Sequence, residues 1–140
     1  MTQHKVASVG EMEALAVRVA GKAKAGDVFL LSGELGAGKS VFARAFLKAR
    51  GAGGDIPSPT FTLLQYYELP SCPVYHFDLY RLRAPEEIEE IGFEEALEDA
   101  IALVEWPEKA ASYMPRNAMR IRIEIISDEE REVWVGEEGC

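Results

Sequence analysis

The sequence is short of cysteine and of long apolar segments, and each shortage excludes a class of protein. Its two cysteines, Cys72 and Cys140, form no CxxC pair and offer no disulfide framework. The longest uninterrupted apolar run, residues 100–104, is far shorter than a bilayer span. The opening residues contain no apolar stretch that would act as a secretion signal. We therefore expect a protein of the reducing cytoplasm that makes no contact with a membrane.

Positive charge is also scarce. The chain carries 24 acidic and 15 basic residues, a formal net charge of −9 at pH 7. Such a surface repels phosphate backbones, so unaided high-affinity binding to DNA or RNA is not expected. The 48% hydrophobic content and the length of 140 residues suit a single soluble globular domain. We expect that domain to span residues 1–140, with a frayed tail over residues 136–140.

The spacing of apolar and turn residues predicts alternating helices and strands. Helical spacing predicts helices over residues 8–24, 40–50 and 85–99, the last split at Gly92, and a short helix over 108–113. The first helix begins with a capping box formed by Ser8 and Glu11. Strands are predicted over 28–32, 61–68, 74–79, 101–104 and 119–125, with 132–135 pairing back as an edge strand. This order favours a layered α/β domain.

A glycine-rich turn between strand 28–32 and helix 40–50 carries the clearest functional signal. It matches G-x-x-x-x-G-K-[ST] in full, with the residues Gly33-Glu34-Leu35-Gly36-Ala37-Gly38-Lys39-Ser40. Glycines let successive backbone N–H groups turn inward around an anion, and the start of the helix adds a positive dipole. We expect Lys39 to reach the β- and γ-phosphates and the Ser40 hydroxyl to bind Mg²⁺. The alternative is a glycine turn with a solvated lysine.

This motif does not determine which nucleotide base is bound. Guanine specificity usually needs an Asn-Lys-x-Asp element, and the only asparagine, Asn117, is followed by Ala118 and Met119. ATP is therefore the favoured nucleotide.

A P-loop enzyme also needs a carboxylate near the metal. Glu105 follows strand 101–104 at the end where ligands collect in open α/β sheets; the alternative is that it caps the following turn.

A second carboxylate, Asp78, follows His76 by two residues, so both side chains point to one face of the predicted strand. Burying a carboxylate there is costly unless a cation or metal compensates it. Asp78 is therefore a candidate for binding magnesium-coordinated water or for orienting the attacking water. A salt bridge with Arg81 or Arg83 is the alternative. For His76 we expect a half-buried, hydrogen-bonded imidazole rather than a metal ligand.

The segment Ser58-Pro59-Thr60-Phe61 follows a flexible glycine stretch, and Pro57 and Pro59 restrict its backbone. Ser58 and Thr60 are candidate switch residues, with the Thr60 hydroxyl sensing the γ-phosphate or magnesium. An ordinary turn before a strand explains the segment equally well.

The acidic segment 86–99 contains no basic residue; it is either a solvated helix face or a docking surface for a basic partner.

Four segments in order resemble the TsaE (YjeE) family of small bacterial P-loop ATPases. The likeness covers residues 26–108. The segments are the glycine-rich turn, Ser58-Pro59-Thr60-Phe61, His76-Phe77-Asp78-Leu79-Tyr80-Arg81 and Val104-Glu105-Trp106-Pro107-Glu108. The resemblance implies a P-loop fold with a mixed, mainly parallel central sheet flanked by helices. It also implies that Lys39 and Ser40 hold phosphates and Mg²⁺, that Glu105 is the second magnesium-linked residue, that Asp78 is another functional acid and that Trp106 lies beside the nucleotide.

The resemblance further implies a role in the threonylcarbamoyladenosine modification of tRNA. Family members act with two partners, TsaB and TsaD; TsaD performs the transfer, and ATP hydrolysis by TsaE resets the assembly. We expect tRNA contact only through that complex. Hydrolysis by the isolated chain should be weak, because no arginine is obviously placed as a finger; Arg81 is the nearest candidate. A small-molecule kinase and a non-hydrolysing nucleotide sensor are the alternatives, although a kinase lid rich in arginine is absent from the sequence.

Overall fold

The computed structural model describes residues 2–54, 56 and 63–137. The candidate switch residues Ser58 and Thr60 lie outside this described part. The four α-helices are α1 (Val9–Lys22), α2 (Lys39–Ala49), α3 (Glu87–Glu90) and α4 (Phe93–Asp99), and a 3₁₀ helix covers Pro107–Tyr113. The strands are β1 (Thr2–Val6), β2 (Val28–Gly33), β3 (Leu64–Tyr67), β4 (Val74–Asp78), β5 (Ile101–Glu105), β6 (Met119–Ile125) and β7 (Arg131–Glu137).

All seven strands form one sheet in the order β1-β7-β6-β2-β5-β4-β3. The inner pairs β6–β2, β2–β5 and β5–β4 are parallel, whereas the pairs nearer the edges, β1–β7, β7–β6 and β4–β3, are antiparallel. The predicted fold class, a mixed sheet with a parallel centre flanked by helices, is confirmed. The parallel centre matters for function, because the carboxyl ends of β2, β4 and β5 open on the same edge of the sheet.

Helices cover both faces of this sheet. On one face, α1 and α2 pack over side chains such as Phe29 and Leu31 of β2. On the other face, α3, α4 and the 3₁₀ helix pack over Val28 and Leu30 of the same strand. The central strand β5 is buried along its whole length. These continuous apolar runs are typical of parallel strands buried on both faces, as the sequence predicts.

Helix boundaries follow local capping signals closely. The Ser8 hydroxyl accepts a hydrogen bond from the N–H of Glu11 at 3.2 Å, and the Glu11 carboxylate accepts one from Ala7 at 3.0 Å. This confirms the capping box at the start of α1. Gly92 adopts φ 76° and separates α3 from α4, at the predicted split. Within the described chain, no helix has the length and apolar character needed to cross a membrane.

The prediction that β7 is an edge strand is wrong. The first strand, β1, was not predicted, and it pairs antiparallel with β7 from Thr2 opposite Val135 to Val6 opposite Arg131. β7 also extends to Glu137, so the sheet includes the first two residues of the expected frayed tail. No apolar alternation marks β1 in the sequence, because Val6 is its one buried residue and the strand is largely exposed.

Candidate functional site

The glycine-rich turn connects the carboxyl end of β2 to the start of α2. Gly36 and Gly38 adopt φ values of 83° and 116°, which side-chain-bearing residues rarely adopt. Gly38 is the N-cap residue of α2, and its carbonyl accepts the helical hydrogen bond from Phe42 at 2.9 Å. Glu34 and Ala37 close the turn through a backbone hydrogen bond of 3.0 Å. The backbone thus has the strand–loop–helix geometry that a phosphate-binding loop requires.

Lys39, the first residue of α2, is buried against this loop, with 5% of its surface exposed. Its ammonium group donates hydrogen bonds to the carbonyl oxygens of Gly33 and of Glu34, the second at 3.3 Å. The same nitrogen lies 3.6 Å from the ring centroid of Trp106, close enough for a cation–π interaction. The lysine is therefore held at the cleft between the loop and the end of β5.

Opposing electrostatic effects act on Lys39. Burial lowers the pKa of its ammonium group, and the nearby carboxylates of Glu105, Glu108 and Asp78 raise it, with the effect of burial the larger. A cation that is poorly hydrated and surrounded by carboxylates interacts strongly with any further charge that enters the cleft.

The two candidate carboxylates are brought side by side. Asp78 ends β4 and Glu105 ends β5, and the parallel register pairs their Cα atoms directly. Glu105 is also the register partner of Leu31 on β2, so it lies on the strand next to the one that leads into the loop. Both side chains are buried. One Asp78 oxygen accepts a hydrogen bond from the N–H of Tyr80 at 3.1 Å, which helps to orient that carboxylate.

The carboxylate of Glu105 has a buried partner that the sequence did not suggest. His76 Nε2 lies 2.6 Å from Glu105 Oε2, and both residues are 2% exposed. The other ring nitrogen, Nδ1, has no hydrogen-bond partner in the described part of the chain. His76 is thus buried rather than half-buried, and it bonds through one nitrogen only.

Trp106 follows Glu105 in a left-handed conformation, with φ 59° and ψ 50°. Non-glycine residues at positive φ are uncommon and strained, and such strain gathers at functional sites. This conformation places the indole beside Lys39 and 4.8 Å, centroid to centroid, from the ring of Tyr80. Trp106 therefore forms one wall of the cleft.

These residues line a cleft of about 290 Å³. Its oxygen donors are the Ser40 hydroxyl and the carboxylates of Asp78 and Glu105, the hard ligands that Mg²⁺ prefers. Within the described residues, no cluster of three or more His, Cys, Asp or Glu side chains could hold a metal alone. The donor set therefore fits a magnesium ion that takes its other ligands from phosphate and water.

A second cavity, of about 470 Å³, also borders the loop and was not found from the sequence. Gly36 and Gly38 line both cavities, so the two cavities adjoin at the loop. The remaining walls come from the start of α1, from Val41 and from the turn between β6 and β7, including Arg131.

Arg81, the candidate arginine finger, is exposed three residues beyond Asp78.

Comparison with known proteins identifies the family of the chain. The family described as "Threonylcarbamoyl adenosine biosynthesis protein TsaE" matches residues 6–133. The tRNA threonylcarbamoyladenosine biosynthesis protein TsaE of Rickettsia felis is 42% identical over 122 residues, which cover 86% of this chain and 71% of that protein. The Bacillus subtilis protein of the same name is 37% identical over 124 residues, covering 88% and 77% of the two chains.

A solved structure gives the same result for the fold. The crystal structure of YdiB from Bacillus subtilis superposes with a TM-score of 0.84 and 30% sequence identity, covering 99% of this chain and 86% of that one. The family match includes the glycine-rich turn, both buried carboxylates and Arg131. The chain belongs to the TsaE family.

Proposed function

We propose that this chain binds and hydrolyses ATP with Mg²⁺ and is required for the threonylcarbamoyladenosine modification of tRNA. The observation that carries the proposal is the cleft, where Lys39 and Ser40 at the start of α2 face the paired carboxylates of Asp78 and Glu105. The names of the relatives supply the pathway. In this proposal, the nucleotide state resets or regulates a transferase complex made by homologues of TsaD and TsaB, and tRNA is contacted only through that complex.

The two cavities suggest how ATP lies across the loop. The phosphates occupy the cleft of Lys39 and Ser40, where the N–H groups of the loop and the helix dipole favour negative charge. The base and ribose extend past Gly36 and Gly38 into the second cavity. Its walls include the apolar side chains of Met12 and Val41, against which a flat base can pack.

The residues of the cleft take separate roles in this proposal. Lys39 neutralises negative charge that develops on the transferred phosphoryl group. Ser40 and Glu105 hold the magnesium ion, which supplies charge neutralisation at the phosphates. Asp78, oriented by the N–H of Tyr80, positions the attacking water. His76 fixes the carboxylate of Glu105.

A partner should accelerate hydrolysis. Among the described residues that line the cleft, Lys39 is the one cationic side chain, so no arginine there stabilises the transition state. Leu35, at the tip of the loop, is 73% exposed, and Tyr80 is also exposed beside the cleft. A partner can therefore approach the phosphate end of the site.

The test compares ATP loss by the purified chain alone and with its TsaD and TsaB homologues. We expect slow hydrolysis alone, acceleration by the partners, and a fall of about a hundredfold or more for Lys39→Ala. Lys48→Ala is the matched control, because Lys48 is exposed at the opposite end of the same helix. Wild-type turnover by Lys39→Ala would refute the assignment.

Other outcomes separate the competing functions. ADP formed in proportion to a phosphorylated metabolite would show a small-molecule kinase. ATP binding without ADP under any condition would show a nucleotide sensor. For the pathway itself, cells that lack their own TsaE should regain the modified tRNA nucleoside when they express the wild-type chain and not when they express Lys39→Ala.

A further inference from the structure

We propose that Arg131 is a positioning residue that holds the phosphate-binding loop in its binding conformation. The inference rests on the proposed function, since it assumes that this loop binds the phosphates of ATP. Arg131 is the first residue of β7 and lies 94 positions from Ala37 in the sequence. Its side chain nevertheless makes its contacts with the backbone of the loop and of the turn before β7.

The hydrogen bonds of Arg131 join two separate segments. Nε donates to the carbonyl oxygen of Ala37 at 3.0 Å, and Nη2 makes a longer contact of 3.5 Å with the carbonyl oxygen of Gly36. On the other side, Nη1 donates to three carbonyl oxygens of the β6–β7 turn, those of Ser127 at 2.7 Å, Glu130 at 3.0 Å and Asp128 at 3.3 Å. The guanidinium group therefore connects the turn to the loop.

The base of this side chain is itself fixed. Arg131 pairs with Ile125 on β6 and with Val6 on β1, so its backbone lies between two strands. A guanidinium is planar and presents its donors at fixed angles, whereas a lysine ammonium is a point charge on a flexible stem. Only the arginine can reach the loop and the turn simultaneously with directed hydrogen bonds.

The contact with Ala37 decides where the next N–H group points. The carbonyl of Ala37 and the N–H of Gly38 belong to one peptide, and across a trans peptide they point in opposite directions. By holding the carbonyl on the outer side of the loop, Arg131 turns the Gly38 N–H toward the inner side, where an anion binds. This restraint matters because Gly38 is a glycine at positive φ, a residue type for which alternative backbone conformations are readily accessible.

Two variants of Arg131 separate its charge from its geometry. Arg131→Lys keeps the charge and loses the directed hydrogen bonds, and Arg131→Gln loses both. The matched control is Arg122→Gln, since Arg122 lies on the adjacent strand, is largely exposed and contacts Glu124 and the Trp134 ring rather than the loop. Correct folding of each variant is checked by far-UV circular dichroism.

The first measurement is the affinity for the fluorescent ADP analogue mant-ADP in the presence of Mg²⁺. Loss of a directed hydrogen bond from a charged group lets the loop leave its binding conformation, and the apparent dissociation constant rises by the factor by which that conformation is depopulated, about tenfold or more. We expect that increase for both Arg131 variants, with Arg122→Gln within about twofold of the wild type. Wild-type affinity in Arg131→Lys would overturn the proposal, because the directed contacts would then be unnecessary.

The second measurement is amide hydrogen exchange of residues 35–40 without nucleotide. We expect faster exchange in both Arg131 variants than in the wild type and in Arg122→Gln. Weaker binding with unchanged exchange would overturn the proposal, since Arg131 would then act by charge or by touching the ligand. If the wild type fails to bind mant-ADP, the proposed function fails, while the exchange comparison still decides whether Arg131 orders the loop.

Discussion

His76 offers the sharpest test of the energetics of the site, because its replacement leaves a carboxylate buried without its partner. In His76→Leu, Glu105 keeps its 2% exposure but loses the hydrogen bond of 2.6 Å to Nε2. The control is Arg122→Leu, which breaks an exposed ion pair with Glu124 of 3.8 Å.

The expected loss of stability follows from two opposing contributions. Leaving the buried carboxyl group of Glu105 without its hydrogen-bond partner costs about 3 kcal/mol, the upper end of the range for an unsatisfied buried polar group. The leucine also removes Nδ1 of His76, which has no hydrogen-bond partner among the described residues, and this regains about 1 kcal/mol, the lower end of that range. The net loss for His76→Leu is therefore about 2 kcal/mol. The exposed pair of Arg122 should contribute less than about 1 kcal/mol.

Urea unfolding followed by far-UV circular dichroism measures these free energies. A loss of about 2 kcal/mol would also lower Tm by roughly 4–8 °C in a domain of this size. His76→Gln, which keeps a donor at the position of Nε2, should recover part of the loss. The decisive variant is His76→Leu combined with Glu105→Leu, since replacing both members of a buried pair by apolar residues is often neutral or stabilising.

The sign of that double variant tests the reasoning directly. We expect it to be more stable than His76→Leu alone, because the buried, unpaired carboxylate of Glu105 is removed. If the second substitution lowers the free energy of unfolding further, or if His76→Leu is no more destabilising than Arg122→Leu, the hydrogen bond is not what stabilises the buried carboxylate.

Three further predictions follow from local geometry. Gly33→Ala should destabilise the fold by about 1–3 kcal/mol and by more than Gly36→Ala does. A Cβ at Gly33 would lie 2.6 Å from the carbonyl oxygen of Ile123, whereas a Cβ at Gly36 would meet nothing within 4 Å. Equal midpoints of urea unfolding for the two variants would contradict this prediction. Burial lowers the pKa of Lys39 in the folded state below 10.5, so between the folded and unfolded pKa values the unfolded chain binds more protons. The free energy of unfolding of the wild type, relative to that of Lys39→Met, should therefore rise as the pH increases through this window. A difference in urea unfolding that does not change with pH would refute this prediction. Ser8→Ala should lower the stability by about 1 kcal/mol through loss of the helix cap, and an unchanged Tm would count against the cap.

The features that were predictable from the sequence are those that short segments determine. The glycine-rich turn needs glycines at particular positions, and the split at Gly92 needs a residue that tolerates positive φ. The start of α1 depends on the capping residue Ser8 and the adjacent apolar pattern. Each of these signals lies within a few residues of the structure that it determines, and each was confirmed.

The features that were missed depend on strand order. The contact between His76 and Glu105 requires β4 to lie beside β5, and two helices separate these strands in the chain. The contact of Arg131 with Ala37 requires β7 to begin near the loop. No local pattern states which strands are neighbours, because that choice is made by the packing of the whole sheet. The roles of Ser58 and Thr60 stay predictions.

The departures from ordinary local rules converge on one place. Among the described residues, the buried polar or charged side chains are Lys39, His76, Asp78 and Glu105. His76 and Asp78 lie on β4, Glu105 ends β5, and Lys39 begins α2 after the loop that follows β2. Two non-glycine residues of the described segments adopt positive φ, and both belong here: Trp106 forms a wall of the cleft, and the carbonyl oxygen of Leu63 accepts the backbone hydrogen bond of Asp78 at 2.9 Å.

Stability alone does not explain this arrangement, because replacing a buried cluster of charged residues by apolar residues of similar size is often neutral or stabilising. The cluster is explained if its charges have a partner that arrives from solution. Two buried carboxylates beside one partly desolvated lysine suit a ligand that is both anionic and accompanied by a divalent cation. In the proposed function, the anion would interact with the lysine and the loop, and the cation would interact with the carboxylates. A nucleotide with its magnesium ion has both properties, so the same residues that weaken the fold locally would give the site its affinity.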